Sequence, residues 1–506
     1  MLVLLNFDAV SSPLVDRLVA DGRLRAVAEL LSRGRRVALE TPATYFPAGT
    51  YPTLYTGLDL GEHGLYYPFQ WDARAQRSRY AESFAAPSSV WERVGATGAR
   101  ALVVDPYEAR PPSRLDGVFL SGWQFRNRVV LPARSRPPGA ERALRRRFGR
   151  SPSIEEVFGP QSLATLRTMR RDLLAAPERV AQVAKHLLAR ERFDLVWLTF
   201  SAAHLVGHQF WDLSQLPERD RGQALEEGLD TTVADVYAKV DAAIAEVLGA
   251  LSGDAAIVLF AALGMGPDTS RVDLLPGMLD AVLSQRADRP RRSRSPGASL
   301  WRLRAAVPTR ARASVADRLP RSVVLDVTAR LETRASDWSK VPAFVLPSDV
   351  VGYVRLNLRG RERDGVVEPA EAEGLRERIA EGLATFADPD GSPSIAEIRP
   401  CAEVVAEGPR SDALPDLLVR WSERPSAGLD RVLSPRFGEV LRPGGGSGRS
   451  GNHTADAWAV VVPGPGGRVD DRPCAHVVDI AATVCAAFGA EHGDLPGRSL
   501  LAYYYY

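Results

Sequence analysis

Of 506 residues, only seven are histidine, three are cysteine and three are lysine. Each scarcity excludes something. Cys401, Cys474 and Cys485 are too few for a disulfide framework, and no two of them form a CxxC pair. Lys and Arg together number 64 against 62 Asp and Glu, a net charge of +2, so nothing in the balance points to a nucleic-acid polymer as partner. Lysine occurs only at Lys185, Lys239 and Lys340, a skew toward arginine that a GC-rich genome produces without any functional demand. No apolar run approaches the ~18 to 20 residues of a membrane span. The opening MLVLLNFDAV lacks the basic segment and long apolar core of a secretory leader. The expectation is a cytoplasmic protein with no membrane partner, its oligomeric state left open. With 45% apolar and 25% charged residues, the composition is that of a globular chain, not a disordered or fibrous one. Imidazole chemistry must draw on His63, His186, His204, His208, His453, His476 and His492.

Apolar runs suited to strands buried on both faces recur at Leu2 to Phe7, Ala101 to Val104, Asp194 to Phe200, Ala256 to Phe260, Leu417 to Trp421 and Ala457 to Val462. Helical patterns separate most of them, at 12–32 (Ser12 then Pro13 as its start), 233–248 and 477–488. Alternation of this kind predicts an α/β fold, a mostly parallel central sheet with helices on both faces, spanning 1–506 as one unit. Ligands of such sheets gather at the carboxyl ends of the strands, so polar residues just beyond those ends carry the most information. Two segments break the alternation. Residues 125–175 are Arg-rich with a Pro-rich start, and 285–340 hold RPRRSRSP, WRLR and TRARAS. Both are expected to be cap or insertion segments, either solvated helices or an electropositive rim for an anionic substrate.

Four places carry candidate chemistry. Asp8 ends the first strand, where a carboxylate either caps the next helix or binds a ligand. Thr50 lies in FPAGTYPTLYTG, where Pro52 at a first helical position would put Thr50 or Tyr51 at the N-cap. Ser201-Ala-Ala-His204-Leu-Val-Gly-His208 directly follows a strand. Imidazoles at i and i+4 share one helix face and chelate a divalent ion. His453, after the glycine run 444–451, would supply a third neutral ligand, a set suited to zinc with one open position.

These pieces resemble the type I phosphodiesterase/nucleotide pyrophosphatase family of the alkaline phosphatase superfamily. The resemblance rests on LLNFDAV, FPAGTYPTLYTG followed by GEHG, HLVGHQFW, ALGMGP, GYVRLNLRGR, PDLLVRW, GNH and VVDIAATVCAAFG, in that order along the chain. It implies an alkaline-phosphatase-like sandwich and a hydrolase of phosphoric esters, either phosphodiesters or nucleotide pyrophosphates. It also implies two metal ions, usually zinc, at the strand ends. By residue, it implies that Asp8 and Thr50 bind the first metal, with Thr50 the nucleophile, and that His208 and His453 bind the second. His204 stands where the family usually has Asp. Ala262 and Leu263 stand where an Asp-His pair should complete the first metal site, and neither can ligate. The stretch from Thr50 to Gly57 is also shorter than usual. The expectation is therefore one firm metal, held by His204, His208 and His453, and an anionic small-molecule phosphoester as substrate. Asp8 would orient Thr50 or hold a second, weakly bound cation. A catalytically silent or repurposed member that binds a metabolite or partner, or a transferase on this scaffold, is the alternative. Tyr67, Trp71, Asn357 and Arg359 are the candidate substrate contacts, and His63 in GEHG is read as support for the Thr50 loop.

Overall fold

The computed structural model describes residues 1–81, 84, 86–126, 134–154, 161–251, 253–284, 338–443 and 446–503. The elements that build the site are, in chain order, β1 (Leu2–Asn6), α1 (Ser12–Ala20), α2 (Arg25–Arg33), β2 (Arg35–Glu40), α3 (Thr50–Thr56), β3 (Arg100–Val104), β4 (Asp116–Ser121), β5 (Arg134–Arg136), α4 (Leu163–Leu188), β6 (Leu195–Thr199), α5 (Ala202–Phe210), α6 (Thr232–Leu248), β7 (Ala256–Ala261), β8 (Gly264–Pro267), β9 (Gly451–Thr454), β10 (Ala457–Val462), β11 (Cys474–His476) and α7 (Val478–Ala487).

Strand residues alternate between faces, and here both faces are apolar. Val3 and Leu5 of β1 enter one core cluster, with Val15, Val27, Val180 and Val240 from the helices of that side. Leu2 and Leu4 enter the other, with Leu54 of α3 and Ile480 and Val484 of α7. A strand buried on two sides has no place for a period-two polar pattern, which explains the unbroken runs. Nine strands pair in the order β11-β2-β10-β7-β1-β6-β3-β4-β5. The five central ones, β7 to β4, are all parallel. β10 runs against both β7 and β2, and β5 against β4. The expected α/β sandwich is therefore present.

Two expectations need correction. The run Leu417–Trp421 lies in a separate four-stranded antiparallel sheet, with Ala343–Leu346, Gly352–Leu356 and Ile395–Pro400. Leu417 and Val419 face one core cluster and Leu418 another, so its apolar continuity marks burial on two sides and not parallel pairing. The helix expected over 12–32 is two helices, because Gly22 at φ 71° turns the chain between α1 and α2. In the segment 125–175, the described residues build into the sandwich itself. β5 extends the sheet edge, and Leu144, Leu163, Leu166 and Leu173 pack in the main core. Of the second Arg-rich segment, 285–337 lies outside the described residues. No helix among the described residues is long and apolar enough to cross a membrane.

Because β7, β1, β6 and β3 are parallel neighbours, their carboxyl ends meet at one edge. The residues that follow them, Leu263, Asp8, His204 and Tyr107, are thereby lined up in that order.

Candidate metal centre

β6 ends at Thr199, and the chain turns straight into α5, whose nine residues are all buried. Gln124 secures that turn. Its amide nitrogen donates to the Thr199 carbonyl at 2.8 Å and to Ser201 Oγ at 2.9 Å, while its oxygen accepts from Ala202 N–H at 3.3 Å. His204 and His208, one helical turn apart, then face the same way. Two glycines bring the third histidine to them. A Cβ at Gly207 would lie 2.5 Å from Met265 Cγ, and one at Gly451 would lie 2.2 Å from the Gly207 carbonyl oxygen. Their absence lets the β8–β9 pair rest on α5, and in that pair Met265 sits opposite His453.

The three rings form a triangle with centroids 4.9 Å (His204–His208), 4.6 Å (His204–His453) and 4.7 Å (His208–His453) apart. One ligand nitrogen from each lies within 4.8 Å of the others. His208 Nδ1 is 3.0 Å from the Gly451 carbonyl, which can only accept, so the proton is on Nδ1 and the Nε2 lone pair is left for a ligand. That Nε2 lies 3.1 Å from His204 Nε2. Burial, together with the nearby charge of Arg449 and the two other histidines, holds the His208 imidazole well below its ordinary value. It is the neutral, metal-binding form at neutral pH. Three imidazole nitrogens converging from His204, His208 and His453, the first two buried, fit a divalent cation.

Asp8, 1% exposed, stands beside this triangle. Its Oδ2 is 3.3 Å from His204 Nδ1, and its Oδ1 accepts the Tyr51 hydroxyl at 2.9 Å. The Tyr51 oxygen is also 3.0 Å from His204 Nδ1. Tyr107, in the loop after β3, has its ring centroid 4.4 Å from that of Tyr51 and 5.3 Å from that of His204. Neither tyrosine was singled out from the sequence as a site residue. Tyr51 stands next to Thr50, and Tyr107 directly follows a strand end in Asp105-Pro-Tyr, so position relative to strand ends was the available signal.

Thr50 is fully buried in the first turn of α3. Its hydroxyl donates to the Phe46 carbonyl at 3.3 Å and lies 3.5 Å from Thr41 Oγ1. α3 starts earlier than Pro52 suggested, with Gly49 as the cap and Pro52 third in the helix. A proline is tolerated there because N–H groups of the first turn have no partner within the helix. His63 supports α3 from behind. Its Nδ1 accepts from Leu65 N–H at 3.0 Å, so its Nε2–H donates to Thr53 Oγ1 at 2.9 Å.

Ala262 and Leu263, at the end of β7, are 2% and 1% exposed and belong to the apolar cluster that includes Tyr51 and Met265. The two positions expected to carry no metal ligand are thus filled by apolar packing. The four candidate substrate contacts group with the antiparallel sheet. Trp71 is buried, donates to Glu362 Oε2 at 2.7 Å and packs on Phe344. Tyr67 is half-buried in the same cluster. The Asn357 amide donates to the carbonyls of Trp338 and Val341, and exposed Arg359 pairs with Glu368 at 2.7 Å. Core packing and backbone support account for the contacts of Trp71 and Asn357.

The family model described as type I phosphodiesterase / nucleotide pyrophosphatase matches residues 2–392. Among solved structures, phosphonoacetate hydrolase from Sinorhizobium meliloti 1021 in complex with phosphonoacetate aligns with a TM-score of 0.52 at 14% identity, over 97% of this chain and 95% of that one. A mutant of the alkaline phosphatase PafA aligns with a TM-score of 0.54 at 12% identity, over 99% and 98% of the two chains. At these identities the likeness is one of fold. No curated protein matches the chain.

Proposed function

The chain belongs to the type I phosphodiesterase/nucleotide pyrophosphatase family, phosphoester hydrolases of the alkaline phosphatase superfamily, and from that premise we propose that it hydrolyses a small anionic phosphoric ester at a single metal site. The substrate class is a phosphodiester or a nucleotide-type pyrophosphate. His204, His208 and His453 hold the ion, for which zinc is the metal best matched to three imidazoles. The observation that carries this reading is the convergence of those three side chains at the carboxyl edge of the parallel sheet. A divalent ion bound there supplies Lewis-acid stabilisation of phosphoryl charge. Thr50 supplies the attacking hydroxyl, and doing so requires it to give up its bond to the Phe46 carbonyl. Tyr51, bonded to Asp8, fixes the start of α3 against the histidines.

Metal analysis and turnover of bis-p-nitrophenyl phosphate test the reading together. About one equivalent of zinc, with turnover abolished by Thr50→Ala and retained in Tyr51→Phe, is the expected result. Abolition by Tyr51→Phe with Thr50→Ala active would move the nucleophile one residue along the helix. A second reading, a catalytically silent binder of a phosphorylated metabolite, is favoured by the closure at Ala262 and Leu263. Zinc binding without turnover of any diester or dinucleotide, together with saturable binding of a nucleotide, would select it.

A further inference from the structure

We propose that Asp8 is the orienting carboxylate of His204, acting with Tyr51, and is not a ligand of a metal of its own. The inference rests on the single-metal reading above and concerns how that site is held ready. Three distances constrain the protons. Asp8 Oδ1 takes the Tyr51 hydroxyl hydrogen at 2.9 Å, Asp8 Oδ2 lies 3.3 Å from His204 Nδ1, and Tyr51 Oη lies 3.0 Å from the same nitrogen. With the proton on His204 Nδ1, that N–H meets the tyrosine oxygen at 3.0 Å, whose own hydrogen is already committed to Asp8 Oδ1, with Asp8 Oδ2 3.3 Å from the same nitrogen. With the proton on Nε2 instead, a bare Nδ1 lone pair would face a carboxylate oxygen at 3.3 Å. The carboxylate therefore selects the Nδ1–H tautomer and leaves Nε2 as the ligand atom.

His208 reaches the same state through a different acceptor, the Gly451 carbonyl on its Nδ1 at 3.0 Å. Both Nε2 lone pairs then face each other across 3.1 Å. Two lone pairs at that distance repel unless a shared proton or a cation lies between them, so each outer acceptor, by keeping a proton on Nδ1, prepares its histidine for the same ion. A carboxylate behind a ligating imidazole raises its basicity and fixes its ring, and losing such a partner typically weakens metal affinity by about 10- to 100-fold. This assignment also explains why Asp8 persists beside Ala262 and Leu263, where it has no Asp-His partners with which to hold a separate metal.

Zinc(II) titration against a competing chelator separates the roles, using the full chain and its Asp8→Asn, Asp8→Ala and Tyr51→Phe variants. One equivalent is expected in all four, with affinity about 10- to 100-fold weaker in Asp8→Asn and Asp8→Ala and several-fold weaker in Tyr51→Phe. In parallel, the ¹⁵N chemical shifts of His204 in the zinc-free protein should report Nδ1–H in the parent and lose that preference in Asp8→Asn. A parent holding two equivalents, one of which disappears in Asp8→Ala, makes Asp8 a ligand and overturns the proposal. So does an affinity unchanged in both Asp8 variants. If the parent binds no zinc, the metal reading falls. The tautomer measurement still reports whether Asp8 orients His204 on its own. Tyr51→Phe keeps the test open should the Asp8 variants not fold.

Discussion

The two sides of the site share one backbone plan and treat it in opposite ways. After β6, a tight turn leads into α5, whose buried face presents His204 and His208, and the β8–β9 pair brings His453 to join them. After β7, two strands away in the same parallel sheet, Ala262 and Leu263 turn into the apolar cluster beneath α3. A parallel sheet delivers every strand end to one edge whatever the side chains are. Topology thus supplies places for chemistry, and the residues at each place decide whether it is used. On the β6 side three polar donors converge. On the β7 side apolar packing fills the place, and α3 is held by hydrogen bonds to Asp8, Phe46 and His63.

The largest expected effect tests whether chemistry crosses from one side to the other. Thr50 belongs to the closed side and the metal to the open side. If the hydroxyl serves the ion, Thr50→Ala should lower kcat for bis-p-nitrophenyl phosphate on the order of 10³-fold or more while leaving zinc stoichiometry at one. A loss confined to KM would confine the chemistry to the histidine side. Next comes His453→Ala, which removes one of three neutral donors. Zinc affinity should fall by more than the roughly 100-fold that loss of an outer partner costs, measured by chelator competition. With zinc held at about 100 times the parent's Kd, the parent should gain about 2.7 kcal/mol of stability, and the variant should lose most of that gain.

A third variant attacks the difference directly. Ala262→Asp combined with Leu263→His restores on the β7 side the ligand types that the family carries there. Two polar groups placed among Tyr51, Met265 and Phe260 should destabilise the metal-free protein by about 2 to 4 kcal/mol. Excess zinc should recover part of this and raise the stoichiometry from one to two. An unchanged metal count would mean that the loop after β7 does not follow the family's path and that the two sides are not equivalent places at all.

Much of this contrast was legible in the sequence, for reasons particular to each residue. His204 and His208 could be paired because four residues is one helical turn and the segment follows an apolar strand. His453 could be offered as a third ligand from its place after a glycine run, and the family resemblance then tied it to residues some 250 positions away. The loss at Ala262-Leu263 was visible as a pair of apolar residues ahead of Gly-Met. Tyr51 and Tyr107 were not anticipated, because a tyrosine's role depends on where its hydroxyl or ring ends up, and that is set by packing between distant strand ends. For Trp71 and Asn357 the sequence could not supply the partners that the structure gives them, Glu362 for the indole and two carbonyls for the amide.

The smallest expected effect asks what holds α3 in place. His63 is 1% exposed and its burial pushes the imidazole down to about 3 from 6.5; the neutral ring receives the Leu65 N–H and donates to Thr53. The sign follows from proton counting. Between pH 6.5 and 3 the unfolded chain binds a proton at this position and the folded chain does not, so the group's contribution is full above 6.5 and is lost as pH falls. The slope is about 1.4 kcal/mol per pH unit within that window. His63→Gln should remove this share of the slope, read from denaturant unfolding at pH 7, 6 and 5, at a cost of about 1 to 2 kcal/mol at pH 8 from the altered bonds. Because the support is proton-linked and not metal-linked, adding a chelator should leave the difference in slope between parent and variant unchanged. A difference that vanished with the metal would mean that α3 answers to the histidine side after all, and the two halves would have to be treated as one coupled site.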